Sequence, residues 1–118
     1  METVPLELSD EAIDAETHVI AVTGEIDLAT SPQLKASLDA LVDRGVSNVV
    51  IDLTHVSHID SMGFTVLVHG LRRIRDAKGV LATVCPDPIR RLFEMVGLNR
   101  MHPVCATREE ALAAVRGA

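Results

Sequence analysis

The chain has 118 residues, with seventeen Asp and Glu against eleven Lys and Arg and a formal charge of −6. That length supports one domain, residues 1–118, whose core needs no disulfide or metal to hold it. Apolar residues make up 47%, yet the only aromatics are Phe64 and Phe93, so the core is aliphatic and the surface suits neither a nucleic-acid backbone nor stacked bases.

A first strand is expected within Val4–Asp14, bent by Pro5, and a second over His18–Thr23 (HVIAVT). Their short connection makes them an antiparallel pair. GEIDLATSPQL then turns the chain. Thr30 or Ser31 is placed to cap a helix, with Pro32 near its first position, where a missing N–H costs little. Leu34, Leu38, Leu41 and Val42 give this helix an apolar stripe, and Gly45 is a natural stop. The run NVVIDL, Asn48 to Leu53, is near-continuously apolar and β-branched, as a parallel strand covered on both faces would be.

A short polar turn, Asp60-Ser61-Met62-Gly63, precedes a helix reaching about Lys78, on which Phe64, Leu67, Val68, Leu71 and Ile74 recur at threes and fours. Gly79 ends it, and VLATV, Val80 to Val84, is the next strand. Pro86 and Pro88 open a helix carrying Ile89, Leu92, Phe93 and Val96, stopped by Gly97. After a brief strand near His102–Cys105, Thr107 and Glu110 stand at capping-box spacing ahead of Ala111, Leu112 and Val115. Strand–helix alternation with right-handed crossovers predicts an α/β fold: a mixed, mostly parallel sheet of about five strands, an N-terminal antiparallel hairpin and about four helices.

Several functions fit poorly. No run approaches eighteen apolar residues, and METVPLELSDEAIDAE has neither a basic n-region nor an apolar h-region. Membrane insertion and export are therefore not expected, and a cytoplasmic location is. Cys85 and Cys105 lie twenty apart without a CxxC pattern and read as two buried, reduced thiols, with a redox pair open if their strands are neighbours. His55, His58 and Asp60 lack the fourth ligand and helical spacing of a zinc site, so no metal or cofactor is expected. His69 lies eight residues beyond Ser61, about 12 Å along a helix axis, too far to activate its hydroxyl, and no glycine-rich oxyanion cradle accompanies it. The sequence therefore reads as no enzyme. Arg72, Arg73, Arg75 and Lys78 read as a solvated face at a helix C-terminus, where cations are favoured.

Ser61 carries the sharpest question. At or within the first turn of a helix it meets unpaired backbone N–H groups and the positive end of the macrodipole. A hydroxyl there can cap the helix or carry a phosphate in a favourable field.

With the elements in place, three blocks resemble the STAS-domain family, specifically the bacterial anti-sigma factor antagonists. VTGEIDLATSPQL (Val22 to Leu34) is similar to the family's strand-to-helix segment, NVVIDLTHVSHIDSMGFTVL (Asn48 to Leu67) to its signature block, and RLFEMVGL (Arg91 to Leu98) to the segment after the fourth strand. In that family a serine after the aspartate is the regulatory phosphorylation site, which maps onto Ser61. Family members commonly carry a second serine next to it, and Met62 replaces it here. The resemblance implies a partner, an anti-sigma factor with serine-kinase activity, and room for a Ser/Thr phosphatase that resets the site. Expected partner-binding residues are Asp27, Thr30, Ser31, Asp60, Ser61, Met62, Gly63 and Phe64, although the aspartates also suit turns and Thr30 and Ser31 also suit caps. Three other functions stay open: a non-switching STAS subunit of a lipid-transport or other cytoplasmic assembly, an antagonist governed by redox through Cys85 or Cys105, and a nucleotide-binding module, against which the lack of a glycine-rich phosphate cradle counts.

Overall fold

The computed structural model describes residues 6–117. Among the described residues five strands lie side by side in chain order: β1 (Glu7–Ala12), β2 (Thr17–Ile26), β3 (Asn48–Ile59), β4 (Val80–Val84) and β5 (Val104–Cys105). β1 runs antiparallel to β2 and the other neighbours are parallel. The expected start of the first strand at Val4 and Pro5 falls outside the described residues. Four α-helices, α1 (Ser31–Asp43), α2 (Ser61–Asp76), α3 (Asp87–Met95) and α4 (Arg108–Arg116), complete the fold with a 3-10 turn at Leu98–Arg100.

The alternation of side chains along β3 divides the core in two. Val49, Ile51 and Leu53 pack with Leu34, Leu38 and Leu41 of α1, Leu67, Leu71 and Ile74 of α2, and Phe93 of α3. Val50 points the other way, with Val19, Ala82 and Val84, towards Ala111 and Val115 of α4. Asp52 also faces α4, where its carboxylate accepts a hydrogen bond from Arg108 Nε at 2.6 Å and others from the Thr54 N–H and hydroxyl. Arg108 reaches Glu11 as well, so one guanidinium ties α4 to β3 and β1.

The strand expected to end at Leu53 continues six residues further. Twelve residues of β3 face ten of β2, with register shifts between Ala21 and Thr23 and between Gly24 and Glu25. Each shift sets an extra β3 residue against β2, a bulge that breaks the two-residue alternation. The buried residues beyond Leu53 are accordingly three apart, Val56 and Ile59, and THVSHI does not read as a strand. β4 matches only Asn48–Asp52, so this outer half is paired on the β2 side and carries the chain out to the start of α2.

Helix ends follow the expected chemistry with two corrections. α1 closes in a Schellman motif, Gly45 at φ 81° and Val46 N–H bonded to Leu41 O. α2 closes the same way, but Lys78, not Gly79, adopts the left-handed conformation (φ 68°). Gly79 is required for a different reason: a Cβ there would sit 2.0 Å from the carbonyl oxygen of Ser47. Val96, expected on the apolar face of α3, instead ends that helix and is 55% exposed beside Met95 at 81%.

Candidate functional site

Parallel pairing brings the ends of β2 and β3 together, Ile26 opposite Ile59. The chain leaves β2 through Asp27 into α1 and leaves β3 through Asp60 into α2, so two helix starts emerge side by side from one end of the sheet. Asp60 N–H donates to Ile26 O at 3.1 Å, which staples the two exits. Gly63 allows this closeness, since a Cβ on it would lie 2.6 Å from Ile59 and 2.7 Å from Ile26 side-chain atoms.

At α2 the cap is Asp60. Its Oδ1 accepts from Met62 N–H at 2.9 Å and Gly63 N–H at 3.2 Å, and its backbone carbonyl accepts the first helical bond from Phe64. Ser61 is therefore the first helical residue, exposed, with its hydroxyl not used for capping. Its carbonyl accepts from the Thr65 hydroxyl at 2.9 Å. Met62 beside it is 39% exposed.

The start of α1 is organised differently. Thr30 occupies the N-cap position but makes no side-chain cap bond. Its hydroxyl donates inward to Glu25 O at 2.6 Å and accepts from Asp27 N–H at 2.9 Å. Asp27 Oδ1 in turn accepts from the Ala29 and Thr30 N–H groups at 2.9 and 3.0 Å. The Thr30 N–H bond chiefly holds the Asp27 carboxyl below its ordinary range, helped by the Thr30 hydroxyl and Ala29 N–H and opposed by desolvation. Both Thr30 and Ser31 are only 2% exposed.

Of the eight residues expected to meet a partner, Asp27, Asp60, Ser61, Met62 and Phe64 thus reach the surface wholly or in part, whereas Thr30, Ser31 and Gly63 are buried and frame it from beneath. Leu28, overlooked by periodicity arguments because it belongs to neither strand nor helix, is 68% exposed next to Asp27. A large apolar residue inside a turn was the signal that could have found it.

Phe64 bridges surface and core. Its ring meets Phe93 edge-to-face, centroids 5.4 Å apart at 70°, and its outer side lines a groove of about 390 Å³ between α2 and the segment after α3. Phe93 continues to His102, buried between Thr83 and Leu98. The carbonyl of Leu98 lies 2.8 Å from His102 Nδ1, which donates to it, leaving Nε2 to accept from the Thr83 hydroxyl at 2.7 Å. Burial lowers the His102 pKa below its ordinary value, against the raising effect of the Leu98 carbonyl.

The basic run on α2 is partly spent within the fold. Arg73 bonds Asp39 at 2.8 Å and Asp43 at 3.0 Å on α1, and Arg75 donates to Met101 O at 2.7 Å. His69 lies 3.2 Å from Asp39, on the same clamp. Asp39 is held far below the ordinary carboxylate range, first by Lys35 and then by Arg73. Cys85 directly follows β4 and Cys105 lies in the neighbouring β5, where Cys85 N–H bonds Cys105 O. Both thiols are free, Cys105 is half-buried rather than buried, and the two pack on opposite faces of the sheet. Burial pushes Cys85 up to about 12, leaving almost no reactive thiolate at neutral pH.

Comparison with known proteins agrees with this architecture. A family model for the STAS domain matches residues 11–111. The putative anti-sigma factor antagonist BtrV of Bordetella bronchiseptica is 34% identical over 101 residues, 85% of this chain and 87% of BtrV. The anti-sigma-B factor antagonist of Listeria monocytogenes is 34% identical over 98 residues, 81% of this chain and 83% of its own. Among solved structures, an anti-sigma factor antagonist from Mycobacterium paratuberculosis superimposes with a TM-score of 0.83 at 30% identity, covering 94% of both chains. The Bacillus cell fate determinant SpoIIAA in its phosphorylated form gives a TM-score of 0.73 at 27% identity, over 93% of this chain and 100% of SpoIIAA, and it is also solved unphosphorylated. The chain belongs to the STAS-domain family. Among the described residues, no helix is long and apolar enough to cross a membrane.

Proposed function

We propose that this chain is an anti-sigma factor antagonist. It binds an anti-sigma factor that is also a serine kinase, thereby releasing a sigma factor, and phosphorylation of Ser61 ends that binding. One observation carries the reading: Ser61 is exposed at the first position of α2 while Asp60 makes the capping bonds, so its hydroxyl is accessible to a partner and can be modified without uncapping the helix. The names of the relatives and the two solved states of SpoIIAA support it.

In the switching step Ser61 Oγ forms a bond to the γ-phosphorus of ATP, the bond from that phosphorus to the ADP oxygen breaks, and the hydroxyl proton passes to a base of the kinase. The product carries roughly −1.5 to −2 charges at neutral pH. The positive end of α2 is already engaged by the Asp60 carboxylate, so this charge is directed outward, beside Asp27 and Asp60, into the docking surface. A hundredfold loss of affinity needs about 2.7 kcal/mol, and misplaced charge at an interface costs several. One phosphate suffices without a change of fold. The chain itself performs no catalysis in this scheme.

The test is incubation with a cognate anti-sigma kinase and ATP. Intact-mass spectrometry should record one added phosphate, absent in Ser61→Ala, which retains partner binding. Ser61→Asp should bind more weakly, though less so than the phosphoprotein because it carries less charge. Equal capture of all three forms by the immobilised kinase rejects the switch. A partner that binds permanently without phosphorylating the chain favours the non-switching subunit of a larger assembly.

A further inference from the structure

The groove beside Phe64 extends the same surface. Ser61, Thr65, Val68 and Arg72 follow one another at four, three and four residues along α2, which places them on a single helical face. The acceptor serine stands at one end of this stripe. The groove, lined by Phe64, Thr65, Val68 and Arg72 from α2 and by Val96, Leu98 and Met101 opposite, occupies the rest. Its volume is about 390 Å³, enough for one or two large apolar side chains, and the exposed Val96 is part of its wall. Scattered exposed apolar residues need no explanation, but a groove lined by apolar side chains, here mostly half-buried ones, and rimmed by polar groups marks a contact site.

The rim also has a sign. Arg73 and Arg75 are committed to Asp39, Asp43 and Met101 O. Arg72 lines the groove and Arg100 adjoins Met101; both are exposed, and among the described residues neither takes part in an ion pair. A chain of net charge −6 therefore presents a local cationic edge beside an apolar trough.

From this geometry we infer that the groove seats an amphipathic helix of the anti-sigma factor, placing apolar side chains against Phe64, Val68 and Leu98 and a carboxylate one turn away against Arg72. This rests on the antagonist reading and names the chemistry of the partner's contacting element. The acidic remainder of the chain would repel such a helix elsewhere, so charge selects the site as well as the orientation. Docking here lays the partner along the Ser61 stripe and brings its active site over the hydroxyl. The groove then serves the kinase's recognition of unmodified chain, about one to three helical turns from the atom that is phosphorylated.

Two measurements separate this inference from the reading it rests on. The first is titration of the purified anti-sigma kinase with wild type, Arg72→Glu, Val96→Glu and Ser61→Asp, all surface substitutions whose melting temperatures verify folding. Arg72→Glu and Val96→Glu should each weaken binding at least tenfold and slow phosphorylation of Ser61. Binding within twofold of wild type for both, with Ser61→Asp still weakened, overturns the groove and leaves the antagonist reading standing. The second uses isotope-labelled chain and a synthetic helical peptide with leucines at i and i+4 and glutamates at the flanking turns, against the same peptide with lysines for glutamates. The acidic peptide should shift amide resonances of Phe64, Val68 and Leu98, and Arg72→Glu should abolish the shifts. Their appearance when wild type captures no anti-sigma kinase keeps the groove as a seat for an acidic amphipathic helix but overturns both the antagonist reading and the assignment of that helix to an anti-sigma factor. Equal shifts from both peptides, or none, overturn the groove, as does a dimer of the free chain that Val96→Glu dissolves, which assigns the trough to a second copy.

Discussion

Ser31 and Ser61 hold the same position, the first residue of α1 and of α2, at helix starts that leave the same end of the sheet. Ser31 is buried and Ser61 is exposed. At α1 the chain turns inward, with Thr30 bonded back to Glu25 and Asp27 holding the turn by three bonds to Thr30 and Ala29. At α2 a single carboxylate does the capping from outside the helix, and the serine after it faces solvent. Helix position alone thus does not mark an accessible hydroxyl. What distinguishes the two is which neighbour satisfies the free N–H groups and which way the exit turn folds.

The sharpest way to break this contrast is phosphorylation. With an anti-sigma kinase and ATP, Ser61→Ala should lose incorporation entirely while Ser31→Ala keeps it, by intact-mass measurement; label remaining on the first variant would show that another hydroxyl is used. Thr30→Val keeps the shape but strands the Glu25 carbonyl and Asp27 N–H, and should cost about 2 kcal/mol in urea denaturation with no effect on which serine is modified. Asp60→Ala removes the cap of α2 and should cost about 1 kcal/mol, a loss that Asp60→Asn or Asp60→Ser largely restores.

The smallest effect concerns acid. Burial lowers the pKa of His102 in the folded chain, so below pH 6.5 the unfolded chain takes up a proton that the folded one resists. Stability is full above that pH and declines as pH falls from 6.5 towards the lower folded value. Melting temperatures at pH 7.5 and 5.5 should show the decline, and His102→Gln should flatten the part of it that belongs to this side chain.

Much of the fold was legible in residue patterns. VLATV and the stripe of α2 stand where the residue pattern placed them, because the strand is a short apolar run buried on both faces and the helix buries one regular face. The outer half of β3 was not legible, since two bulges replace alternation with a spacing of three and the segment THVSHI then matches no simple template. Val96 misled for another reason. It continues the apolar series of α3, but the helix stops there and the side chain passes to the groove's lip. Arg73 and Arg75 looked free because their partners, Asp39, Asp43 and Met101, are 26 or more residues away.

For the site the division is sharper. Local sequence determined that a helix starts at the serine after an aspartate and that the core is aliphatic; these depend on neighbours within a few residues and on the chemistry of caps and periodic faces. Tertiary structure alone decided which hydroxyl of the two helix starts meets solvent, that Leu28 emerges beside Asp27, and that a groove opens along the face of Ser61. Those outcomes depend on how strands of unequal length pair and how the segment after α3 lies beside α2, contacts between residues far apart in the chain that no short-range pattern encodes.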